Sequence, residues 1–208
     1  MTFHPLGGTP NSSARHEEDL ITCAEFTNMR TLYLDRLKEG LPEITPVFGA
    51  FLAEAAAVCL HQMGHRTGVR LKVDGDFETE FAVEWTQEIS GREESSWRDL
   101  KEATEYGATA IAVLLMAELT GFSSFERNTQ DEVMDYNLFL KRVQKGQLAF
   151  PDASLEISGI LHEGMNNTVQ ARVSLKKKKA NKPGIKNKLP VYVVVVEFGV
   201  PKANIAKI

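Results

Sequence analysis

Ala153-Ser154-Leu155-Glu156-Ile157-Ser158-Gly159-Ile160-Leu161 is an apolar, strand-like run with an acid in its middle. An ionised carboxylate is expensive to bury unless a cation meets it. A second acid is placed the same way, since Asp135 lies within Val133-Met134-Asp135-Tyr136-Asn137-Leu138-Phe139-Leu140. Two carboxylates inside otherwise hydrophobic strands point to a shared cation, and hard oxygen ligands suit Mg²⁺. The plainer reading leaves each acid facing solvent from an edge strand.

The segments around these two runs set the topology. A long helix is expected from about Ser96 to Thr120, closed by Gly121. Its second half, Ala110 to Ala117, is apolar on every side and should be buried. Strands are expected at 122–127, 133–140 and 153–161. Residues 167–179 can be read in two ways. Val169, Ala171, Val173 and Leu175 alternate with polar residues, as in a strand, yet Asn167-Thr168 and the lysine-rich end suit the two ends of a helix. Val191-Tyr192-Val193-Val194-Val195-Val196, between Pro190 and Pro201, has the continuous apolar character of a strand covered on both faces. Such cover favours a helix over 167–179 that crosses between two parallel strands.

Read as helix, three strands, helix, strand, residues 96–198 resemble the core of the PD-(D/E)XK nuclease superfamily, the restriction-endonuclease-like fold. The chain also looks like a group of uncharacterised bacterial proteins with a Glu-Ala-Thr-Glu-Tyr-Gly-Ala helix, an Asp-Tyr strand and a Leu-Glu-(Val/Ile)-Ser-Gly-Ile strand. Here these are Glu102 to Ala108, Asp135-Tyr136 and Leu155 to Ile160. The resemblance implies an α/β (α+β) domain with a mixed sheet flanked by helices. It also implies Mg²⁺- or Mn²⁺-dependent hydrolysis of a nucleic acid, DNA above all, with metal held by Asp135 and Glu156. Glu105 would assist, with Glu102 as second choice. Glu156 and Ser158 are two apart on a strand and face one side, and the Ile157 carbonyl between them can add an oxygen ligand. The superfamily's lysine belongs two residues after the glutamate, where this chain has Ser158. Gln170, Arg172 or Lys176 can replace it if 167–179 is a helix.

The rest of the chain frames that domain. Residues 1–16, rich in Gly, Pro, Asn and Ser, read as a loose arm. Residues 17–39 look helical, with Gly40 as a stop. A clearer helix starts with Thr45 as cap and Pro46 in the first turn, and ends at Gly64. Val69, Leu71 and Val73, then Phe77, Phe81, Val83 and Trp85, mark a hairpin with one apolar and one charged face. Residues 17–90 therefore form an expected N-terminal module, joined by the polar 91–95 to a domain over 96–208.

A chain of 208 residues with 43% hydrophobic and 25% charged residues is ordinary globular protein. The formal charge of −4 conceals seven lysines between Lys176 and Lys188 with no acid among them. Lys176, Lys177, Lys178 and Lys179 are the expected phosphate contacts, against the plain alternative of a solvated loop. Cys23 and Cys59 are isolated, and neither a signal peptide nor a membrane-spanning run is read, so a cytoplasmic protein is expected. His61 and His65 have the four-residue spacing of a zinc pair but lack its glutamate, and surface histidines are the default. His162 beside Glu163 carries little signal. Phe77, Phe81, Trp85 and Trp97 are expected in the core. The rival to a nuclease is a non-catalytic scaffold or nucleic-acid-binding subunit of a larger complex. A third alternative, unrelated to nucleases, makes 167–179 a strand. Oligomerisation is left open.

Overall fold

The computed structural model describes residues 29–129, 134–140, 150–180 and 189–208. Thr31–Ile208 form one compact unit on an eight-stranded mixed sheet. Its strands are β1 (Arg30–Tyr33), β2 (Val69–Gly75), β3 (Thr79–Glu84), β4 (Ser124–Arg127), β5 (Tyr136–Phe139), β6 (Ala153–Ile160), β7 (Val191–Glu197) and β8 (Lys202–Lys207). Across the sheet they lie in the order β1-β3-β2-β8-β7-β6-β5-β4. The helices are α1 (Pro46–Gln62), α2 (Gly91–Ser96), α3 (Leu100–Leu119) and α4 (Val169–Ala180), with a 3-10 helix at Leu34–Glu39. The protein is thus of the mixed α/β class.

The β-branched run does what its composition requires. Every residue of β7 is buried. Tyr192, Val194 and Val196 join the cluster that holds Ile111 and Leu115 of α3. Val191, Val193 and Val195 join Val169 and Val173 of α4 on the other face. Residues 167–179 are accordingly helical for most of their length, and α4 connects β6 to β7, which run parallel in the register Glu156↔Val193. A crossover of this kind is what a parallel neighbour demands.

On the other face, α1 packs against α3 and α3 against β6. Small residues bring these backbones together. A Cβ on Gly107 would lie 3.0 Å from the Ala56 Cα, and one on Gly159 would lie 2.4 Å from the Thr104 carbonyl oxygen. Only glycine at 159 lets α3 rest directly on β6, which sets the Thr104–Glu105 turn over the centre of that strand. α1 begins as expected, with Thr45 Oγ1 accepting from Phe48 N–H at 3.3 Å and Pro46 in its first turn. It closes before Gly64, whose φ of 80° suits glycine.

Two expectations are corrected, and one strand was not anticipated. The helix expected over 17–39 is instead β1 followed by a 3-10 helix from Arg30 onward, with Leu32 buried in the strand and Leu34 and Leu37 buried on the face of the 3-10 helix that packs on α1. Residues 1–16 and 17–28 lie outside the described residues. The helix expected from Ser96 is interrupted at Trp97–Asp99. A Ser90–Glu93 capping box starts α2, and Asp99 Oδ1 caps α3 by accepting from Lys101 and Glu102 N–H at 2.9 and 3.3 Å. The break lets Trp97 turn inward and donate to Glu54 Oε1 at 2.9 Å. β8, which was not anticipated, lies between β7 and β2, antiparallel to the first and parallel to the second. The expected hairpin does form as β2 and β3, with its connection spanning residues 76–78 and Phe77 therefore outside the strand. It lies beside β8, so the expected 17–90 module and 96–208 domain share one sheet. Phe81 and Trp97 are buried, and Phe77 and Trp85 pack partly buried against the core.

Candidate active site

β5 covers only the first part of β6, through Tyr136↔Leu155, Asn137↔Ser154 and Leu138↔Ala153. Asp135, expected to be buried within a strand, is instead exposed and lies just before β5, where it carries the pairing one step further. Its N–H donates to the Leu155 carbonyl at 2.9 Å, and its Oδ2 accepts from Ile157 N–H at 2.7 Å. A side chain thus replaces the strand at this edge. The N–H and C=O of one strand residue leave on the same side, so the Ile157 carbonyl faces the side that Asp135 occupies.

Glu156 stands beside this edge and is only 4% exposed. Burial, followed by the negative charge of Asp135, pushes its carboxyl up to about 7. Asp135 also faces it closely enough to hydrogen-bond. Lys176 of α4 acts in the opposite direction by pairing with Glu156 Oε1. Arg172, one helical turn before Lys176, shares its face of α4. Its Nε donates to Asn167 Oδ1 at 2.9 Å and its Nη1 to Ser158 Oγ at 3.1 Å. Ser158 thus meets an arginine from the following helix, and Glu156 a lysine one turn further on.

The helix that delivers these cations is firmly started. Thr168 Oγ1 accepts from Ala171 N–H at 3.2 Å, and Glu163 Oε1 accepts from Val169 N–H at 2.6 Å. Glu163 also pairs with Lys202 at 2.7 Å, and that contact leads in holding its carboxyl below the ordinary value. Glu163 therefore caps a helix.

A cleft of about 620 Å³ opens here, and Glu105, Asp135, Ile157, Ser158, Arg172 and Lys176 all line it. Glu105 comes from α3, placed over β6 by the close approach at Gly159. Gln170, expected as a substitute for the lysine, is exposed and lies off the cleft lining. Two positions from Arg172, it is turned to another face of the helix. Glu102 is likewise exposed and outside the lining. Lys178 and Lys179 are exposed and Lys177 is partly buried, whereas Lys176 faces the cleft. Lys182, Lys186, Lys188 and Cys23 lie outside the described residues. Sequence reasoning missed Lys101, Tyr106 and Arg127, which also line the cleft. The signal for Lys101 was its position one helical turn before Glu105.

The histidines go elsewhere. His61 Nε2 is 3.6 Å from Glu94 Oε1, while His65 Nε2 is 3.0 Å from the carbonyls of Phe198 and Gly199. Among the described residues no group of three or more His, Cys, Asp and Glu side chains could hold a metal. The proposed donors are of another kind, Asp135 and the Ile157 carbonyl from the cleft lining and the Glu156 carboxylate, which is buried beside them and is not itself part of that lining. These are hard oxygens, and they suit an ion such as Mg²⁺, which takes one or two carboxylates and fills its shell with water and substrate phosphate. Cys59 is buried and its thiol is pushed up to about 12 by that burial, so it is inert.

Compared with known proteins, the chain matches no family model and no curated protein. Among the described residues no helix is long and apolar enough to cross a membrane.

Proposed function

We propose that this protein is a metal-dependent nuclease with a restriction-endonuclease-like core, hydrolysing phosphodiester bonds in nucleic acid. One observation carries the proposal. Asp135, Glu156 and Ile157 meet at one edge of β6, and the next helix brings Lys176 to the same place. Asp135, Glu156 and the Ile157 carbonyl are the residues that would hold Mg²⁺ or Mn²⁺. When bound, such an ion polarises a phosphate oxygen and lowers the pKa of water. Lys176 offsets the charge of the two acids and takes the part of the lysine absent at Ser158. Arg172, held by Ser158 and Asn167, presents its remaining donors to a phosphate oxygen, a task for which its planar fork is suited. Glu105 supports the acids from the α3 wall. DNA as substrate and a role in bacterial defence rest on the superfamily resemblance, and a cytoplasmic setting on the isolated cysteines.

The second reading is a non-catalytic, nucleic-acid-binding subunit of a larger complex. Ser158 in the lysine position favours it. Incubation of the full chain with end-labelled DNA in Mg²⁺, Mn²⁺ or chelator separates the two. Cleavage that requires metal and disappears in Asp135→Asn supports the hydrolase. DNA binding with no cleavage in either metal supports the subunit.

A further inference from the structure

Three cleft residues take no part in holding the metal, and together they describe a ligand. Tyr106 follows Glu105 on α3, is partly exposed and lines the cleft. Its ring sits 4.8 Å from Phe51 at 74° and 6.2 Å from Trp97 at 62°. These two neighbours fix its orientation. Phe51 is itself 41% exposed, so aromatic surface continues beyond the tyrosine. Lys101 from α3 and Arg127 from β4 are both exposed and line the same cleft. Among the described residues neither has an ion pair to occupy its charge.

We infer that the cleft receives an unpaired stretch of nucleic acid, one base stacking on Tyr106 while Lys101 and Arg127 contact the phosphates on either side. This rests on the proposed nuclease reading and names its substrate class as single-stranded. Aromatic faces between cations are the general means of holding single strands, because every unpaired base offers a π-face. A duplex keeps those faces stacked and shows only base edges in its grooves. Tyr106 would then have nothing to meet.

The test is fluorescence anisotropy of the full chain in chelator, with a labelled single-stranded DNA of about 12 nucleotides and a hairpin duplex of related sequence. Wild type binds the single strand more tightly. Tyr106→Ala weakens that binding by about tenfold and leaves the hairpin unaffected, whereas Tyr106→Phe keeps it. Lys101→Ala and Arg127→Ala, both exposed and able to fold whatever becomes of the tyrosine variant, each lower the salt slope by about 0.7. Equal or tighter hairpin binding by wild type overturns the inference. So does unchanged single-strand affinity in Tyr106→Ala, or an unchanged slope in both cation variants. Metal-dependent cleavage of duplex with no effect at Tyr106 leaves the nuclease standing without this substrate. A Tyr106 effect with no cleavage in Mg²⁺ or Mn²⁺ does the reverse.

Discussion

Two buried glutamates sit on the adjacent parallel strands at the middle of the sheet, and the protein treats them in opposite ways. Glu197, at the end of β7, is 1% exposed. Its Oε1 accepts from Gly199 N–H and its Oε2 from Val200 N–H, both at 2.8 Å. The carboxylate is thereby enclosed by donors from the turn that leads into β8. Glu156, on β6, is nearly as buried, but a second carboxylate faces it and a single lysine meets it. An acid supplied with backbone donors stabilises a turn. An acid held against another acid works against the fold, and such an arrangement persists where something cationic is to be bound.

The sharpest break between the two regions is in metal binding. Asp135→Asn and Glu156→Gln should each abolish Mg²⁺ or Mn²⁺ binding by calorimetry and reduce cleavage to background, while Glu197→Gln leaves binding intact. Unchanged binding in both site variants would end the metal assignment.

Stability should divide them with opposite signs. Glu197→Ala removes two charge-assisted hydrogen bonds and leaves their N–H donors unpaired, a loss of roughly 3 kcal/mol in urea unfolding. Glu156→Gln should instead stabilise metal-free protein at pH 8 by roughly 1–3 kcal/mol. The sign follows from protonation. Folded Glu156 holds its proton up to about pH 7 and an ordinary glutamate only to 4.5, so folding takes up a proton in that window and stability falls as pH rises through it. The melting temperature of wild type should drop relative to Glu156→Gln between pH 5 and pH 8. A parallel pH dependence of the two would remove the contrast.

The smallest effect lies on the exposed end of α4. Lys178→Ala and Lys179→Ala should each lower the slope of log affinity against log salt for single-stranded DNA by about 0.7, with metal binding unchanged. Unaltered slopes would make these lysines a solvated helix end.

Much of this arrangement was legible in the sequence. β6, β7 and the α4 crossover follow from the β-branched run, whose apolar character on both faces needs helices on both sides. The start of α1 follows from Thr45 and Pro46, and its end from Gly64. What stayed hidden depends on tertiary placement. β8 has only six residues, Lys-Ala-Asn-Ile-Ala-Lys, after a proline that read as an end. β1 exists because the sheet offers β3 as a partner. Trp97 breaks a helical pattern because Glu54, 43 residues earlier, accepts its N–H. At the site, Glu156 was readable as buried charge, whereas Asp135, expected to be buried as well, is exposed. The distribution of roles among Gln170, Arg172 and Lys176 was not readable, because it depends on how α4 is turned about its axis.

The crossover also determines when the site can exist. Asp135 and Glu156 are brought together by the neighbouring strands β5 and β6, whereas Arg172 and Lys176 come from α4, which packs chiefly on β7 and so depends on the pairing of β7 with β6. Pairing so distant in sequence carries a large loop-closure cost and is slow to form. During folding, and in any excursion that releases α4, the two carboxylates face each other without their lysine. α4 itself is held by few buried side chains, Val169, Val173 and Ala180. Its detachment is therefore among the cheaper openings of the native protein. Hydrogen exchange at the α4 amides, followed with and without Mg²⁺, would show whether occupancy of the acids and closure of this helix are one event or two.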